Sequence, residues 1–170
     1  ATPSAWHPGP AQDVVRRQLY YIRCTTAYLL LTCMGYSLER YSYVDETWEV
    51  LYTQPRELFP ASFGASGTGE MQIAFDAAAE VVYWTADARN GDGLTRLYSL
   101  NLTNWTPSAH VSTADVNVHL EFQAAGSWFN LLVACDGEVW MSDVETIRSW
   151  MPGAGATEWT THATVEAIEV

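Results

Sequence analysis

Lysine is missing altogether. The eight basic side chains are all arginines, set against twenty acids for a net charge of −12. A field of that sign repels a phosphate backbone and disfavours an anionic membrane, so neither nucleic acid nor a membrane is expected as a partner. Cysteine is scarce: Cys24, Cys33 and Cys135 form no C-x-x-C pair, and their odd number argues against a disulfide framework. Cys24 and Cys33 could bridge only if a hairpin set them opposite each other; free, buried thiols are the simpler expectation. The longest apolar run, 27–33, falls far short of a membrane span. His7, His110, His119 and His162 stand apart with no second ligand one helical or strand step away, so no metal is expected. The Gly-rich loop at 54–69 is followed by no lysine and lacks a phosphate-cradling signature. No G-x-S-x-G elbow occurs. With these absences no cofactor is expected.

Aromatic side chains are abundant: eight Trp and nine Tyr among 170 residues, 48% of which are hydrophobic. A chain of this length buries about 70% of its unfolded surface in one compact domain. Residues 1–12, with Pro3, Pro8, Pro10 and Gly9, read as an N-terminal arm. Trp6 lies in that arm, and so large an apolar ring is expected to dock on its own domain or a neighbour. Residues 13–170 read as an all-β domain. Asp13 could cap a short helix through Arg17, and Val15, Leu19, Ile22 and Tyr28 could share a helical face, but the β-branched and aromatic content favours strands.

The strands fall into three sets. The first set is 19–24, 28–34, 38–43 and 48–52. The second is 71–75, 80–85, 94–100 and a strand opening at Trp105, with a wide hairpin loop carrying Asn90-Gly91 and Asp92-Gly93. The third is 118–122, 128–134, 138–142 and a closing strand from Trp150 or Trp159, with 143–149 as an interruption and 160–170 as a terminal strand. An aromatic residue, a polar turn and a Trp recur at equal spacing, Tyr41 to Trp48 and Tyr98 to Trp105, and return distorted between Trp140 and Trp150.

Three successive four-stranded units with that spacing resemble β-propeller blades, and the aromatic–turn–Trp element resembles the kelch blade, although the kelch double glycine is absent. The resemblance implies an all-β fold of three four-stranded, blade-like antiparallel units, a partial β-propeller. Three blades do not close a ring, so the remainder must come from a second copy or a larger assembly. A β-sandwich or jelly roll accommodates the same periodicities.

The turn acids Asp45 with Glu46, and Asp143 with Glu145, are the pairs a glycan hydrolase would need, but acids in turns also simply face water. A carbohydrate-binding module would stack sugars on Trp84, Trp128 and Trp140 and bind hydroxyls through Asn90 and Asp92. The leading expectation is a non-enzymatic structural or interaction protein. It would pack with copies of itself or with other proteins, in a homo-oligomer or a larger assembly such as a virion particle, virion or extracellular in location.

Overall fold

In the computed structural model the residues described are 9–28, 32–53, 72–87, 95–103, 116–122, 131–142, 146–152, 154 and 158–164. Among them lie three four-stranded antiparallel sheets, each an up-and-down meander in chain order. Sheet 1 contains β1 (Ala11–Asp13), β2 (Gln18–Tyr28), β3 (Thr32–Ser42) and β4 (Thr47–Thr53). Sheet 2 contains β5 (Ile73–Asp76), β6 (Val81–Asp87), β7 (Thr95–Asn101) and β8 (Val116–Phe122). Sheet 3 contains β9 (Leu131–Cys135), β10 (Glu138–Ser142), β11 (Thr146–Trp150) and β12 (Thr160–Thr164).

The sheets stack face to face, and the sequence of β6 shows why. Val81-Val82-Tyr83-Trp84 is an unbroken apolar run, as a strand buried on both faces requires. Val82 and Trp84 enter a core with Tyr20, Ile22, Tyr36, Leu38, Leu51 and Tyr52 of sheet 1. Val81 and Tyr83 point the other way, into a second core with Leu132, Val139, Met141 and Trp150 of sheet 3. Sheet 2 is therefore the middle layer. Sheets 1 and 3 each pack one face on sheet 2, and β2 alternates accordingly: Tyr20 and Ile22 are buried while Arg23 is exposed.

The first strands of the three sheets are neighbours, β1 against β5 and β5 against β9. Each meander thus runs outward from a common line of inner strands, which is the plan of propeller blades. The fold is all-β, a partial β-propeller of three blade-like units. A sandwich or jelly roll would need two sheets joined by crossing connections; among the described residues each sheet pairs only consecutive strands.

The sheet count follows the sequence reading, but the phase does not. The first strand of sheet 1 begins at Ala11, inside the stretch read as an arm. The stretch 28–34 is divided: Tyr28 ends β2 and Thr32 opens β3, two paired strands of 11 residues each, and residues 29–31 lie outside the described residues. Val116–Phe122 closes sheet 2 instead of opening sheet 3, and Thr146–Trp150 is a strand where an interruption was expected. Asp13 caps a four-residue turn, not a helix, donors coming from Arg16. The β2–β3 register pairs Cys24 with Tyr36 and Cys33 with Ala27. The hairpin thus does not set the two cysteines opposite each other.

Candidate functional site

The turn after each inner strand is where neighbouring sheets are fastened. Asp13 and Asp76 both end an inner strand and both are buried. Asp76 Oδ1 accepts the backbone N–H groups of Ala78 and Ala79 at 2.9 and 3.1 Å, and its Oδ2 accepts Gly137 N–H of sheet 3 at 3.1 Å. One carboxylate thereby shapes its own turn and grips the next sheet. Asp13 Oδ1 accepts Arg16 N–H at 3.0 Å, and Oδ2 accepts the Arg16 guanidinium at 3.0 Å. Arg16 also donates to Glu80 in the turn of sheet 2.

The last residue of each turn takes a left-handed backbone: Arg17 at φ 57°, Glu80 at 55° and Gly137 at 79°. The carbonyls of Arg17 and Glu80 accept equivalent bonds, from Tyr43 N–H at 3.0 Å and Leu102 N–H at 2.8 Å. These three residues are one structural position repeated. In sheet 3 the turn is only two residues long and Cys135 stands where the other sheets have Asp. Cys135 is exposed, and its thiol is pushed up from the ordinary value, first by the charge of Asp136 and then by a hydrogen bond with it. That environment opposes a nucleophilic thiolate at neutral pH.

The outer face of sheet 1 carries a cross-strand aromatic cluster. Tyr41 lies opposite Trp48 in the β3–β4 hairpin, with ring centroids 4.9 Å apart. Tyr21 meets the edge of Trp48 at 6.4 Å and Tyr43 meets Tyr41 at 5.2 Å. Trp48 is 58% exposed, Val50 51% and Tyr43 50%. Beside them Glu39 is buried, accepting Ser37 Oγ–H at 2.8 Å and Arg23 Nε–H at 2.8 Å. Pairing of the carboxylate is what makes its burial tolerable.

The outer face of sheet 3 is smaller. Trp140 lies against His162 with centroids 4.7 Å apart, and the His162 ring nitrogen Nε2 shares a 2.7 Å hydrogen bond with Ser149 Oγ. Val133 and Ile147 are exposed. Between the inner strands opens a cavity of about 410 Å³, lined mainly by Ala11, Gln12, Ile73, Phe75, Leu132 and Val133.

The residues singled out from the sequence scatter. Trp84 is fully buried with its indole N–H on the Tyr36 hydroxyl, so it has no face for a sugar. Trp140 is half-buried at the open face of sheet 3. Trp6, Trp128, Asn90, Asp92 and Asp143 lie outside the described residues. Asp45 is held in the β3–β4 turn, accepting Ser42 Oγ–H at 2.9 Å, with Ser42 Oγ accepting Asp45 N–H in return. Among the described residues no three His, Cys, Asp or Glu side chains gather as metal ligands. The sequence reading missed Tyr21, Glu39, Asp76 and the Arg16–Glu80 contact. A signal was present: Asp13 precedes Tyr20 at the same spacing as Asp76 precedes Tyr83.

No protein-family model and no curated protein matches the sequence. Among solved structures, a chain of a nidogen/laminin complex is similar at 12% identity and a TM-score of 0.48, covering 83% of this chain. TolB from Acinetobacter baumannii is similar at 11% identity and a TM-score of 0.40, covering 91%. The chain spans 41% and 43% of those two chains, less than half of either. The blade-like architecture stands on the strand order and stacking described above.

Proposed function

We propose that this chain is a non-enzymatic assembly unit whose two end sheets are covered by other protein, in a homo-oligomer or a larger particle such as a virion. The observation that supports this is the outer face of sheet 1, where Trp48, Tyr43 and Val50 are each about half exposed in one cluster. Among the described residues the faces between sheets 1 and 2 and between sheets 2 and 3 are buried against each other. Apolar faces of this kind mark contact surfaces in soluble proteins. The aromatic–turn–Trp element of the sequence belongs to the same face, since Tyr41 and Trp48 form a hairpin pair.

Sedimentation equilibrium tests the proposal. The expected result is a species of at least twice the 18.9 kDa chain mass. A single compact species of one chain mass at high protein concentration overturns it. A second reading, glycan binding, draws on the same rings: Tyr21, Tyr41 and Trp48 could stack on sugar faces, with Arg23 and Glu39 beside them for hydroxyls. A glycan array without a binder removes that reading.

A further inference from the structure

We infer that the protein covering the end sheets is a second copy of this chain, docked so that sheet 3 of each copy packs on sheet 1 of the other and Asp136 meets Arg17 at both seams. This rests on the assembly reading above and names its partner and geometry.

The proposed seam extends a rule already obeyed twice within the chain. Across the first seam, the last turn residue of sheet 2, Glu80, receives Arg16 of the sheet before it. Across the second seam, the last turn residue of sheet 3, Gly137, donates its N–H to Asp76 of the sheet before it. At each seam a charged side chain in one inner turn therefore reaches the left-handed residue of the next turn. A third seam of the same kind would set the turn of sheet 3 against Arg17, the corresponding residue of sheet 1. The charges match: Asp136 is exposed in the first turn and Arg17 is exposed in the second.

The faces also fit in kind. Sheet 1 offers Tyr21, Trp48 and Val50, and sheet 3 offers Val133, Trp140 and Ile147. Ring closure sets the number. Propellers close with four to eight blades; two copies of the three described sheets make six, within that range, and three copies make nine, beyond it. A twofold axis then relates the two seams, and no open edge is left to propagate into fibres.

The experiment is charge reversal followed by mixing, read by sedimentation equilibrium. Arg17→Asp and Asp136→Arg each place like charges at both seams, weakening the dimer about tenfold per seam and so about hundredfold in Kd. Both substitutions suit the backbone, because Arg17 itself occupies φ 57° and aspartate tolerates that region. Mixing the two variants restores opposite charges at both seams, so a mixed dimer of near wild-type affinity is expected. Circular dichroism establishes that each variant is folded. Should either not be, Asp136→Asn, which keeps the turn preference, is expected to weaken the dimer in the same direction by a smaller factor. A wild-type oligomer indifferent to every one of these changes overturns the proposed docking and leaves the assembly reading standing. So does a dimer weakened by the single variants but not restored by mixing. A wild-type chain that stays monomeric overturns both.

Discussion

Trp84 and Tyr36 meet across the boundary between sheets 2 and 1, the indole N–H donating to the phenol oxygen at 2.7 Å with both side chains buried. Around them Tyr98 stacks on Trp84 at 5.6 Å and 14°, and Tyr52 lies 5.8 Å away. Removing the acceptor leaves a buried N–H unpaired. Tyr36→Phe is expected to cost about 1–3 kcal/mol, more than an average hydrogen bond, because desolvation of the indole is then uncompensated. The double variant Tyr36→Phe with Trp84→Phe removes the orphan donor but leaves a cavity, so its cost is expected to differ from the sum of the single costs. Urea unfolding of the four proteins measures this coupling. Additive costs would show that the hydrogen bond contributes nothing of its own.

Asp76 carries the second seam as that pair carries the first. Its carboxylate accepts three backbone N–H groups, two in its own turn and one from Gly137. Asp76→Ala is expected to destabilise the chain by about 3 kcal/mol, since bonds to an ionised acceptor are the stronger ones and the donors are partly buried. Asp76→Asn keeps one acceptor oxygen and should cost less. Hydrogen exchange at Gly137 N–H is the local check: faster exchange there in Asp76→Ala is expected, and unchanged exchange would show that the seam does not depend on this carboxylate.

Alkaline pH should loosen the same cores. Burial raises the Tyr83 phenol above its ordinary 10.0, with the charge of Asp76 adding to the effect. Burial likewise raises Tyr20, Asp13 adding and Arg40 opposing. For a group whose folded value lies above its unfolded one, the stability is fully present below the unfolded value of about 10 and is lost as pH rises through the folded value. The urea midpoint is therefore expected to fall from about pH 10 upward, and to fall less steeply in Tyr83→Phe. A decline of equal slope in that variant would assign the loss to other groups.

The all-β class and the three four-stranded units were legible because alternation and Gly- or Asp-containing turns are local properties. The boundaries between units were not. Tyr83 and Trp84 are neighbours in sequence yet enter different cores, and no single-strand pattern reveals which sheet receives each. The aromatic spacing Tyr41 to Trp48 drew attention to the outer hairpin, whereas the element that recurs structurally is the inner turn with Asp13 or Asp76 at its start and a left-handed residue at its end. That turn was hidden because its closing residue is Arg, Glu or Gly in the three sheets, types that share no chemistry and hold the position through backbone bonds. From sequence Trp84 reads as a ligand platform, because a Trp beside a loop and a Trp in a two-sided core look alike until the neighbouring sheets are placed.

Trp48 separates folding from assembly. It is 58% exposed, and its contacts with Tyr21 and Tyr41 are of the cross-strand kind that contribute about 0.2–1 kcal/mol each. Trp48→Ala should therefore move the urea midpoint of the isolated chain little, a loss of about 1 kcal/mol. Association should suffer far more, because a Trp at the middle of a desolvated contact contributes about 2 kcal/mol or more, roughly thirtyfold in affinity for each contact it makes. Measured side by side, urea unfolding at low protein concentration and sedimentation at high concentration give the two numbers. A large loss of monomer stability with association intact would place Trp48 in the fold instead of the contact, and the outer face of sheet 1 would then need no partner.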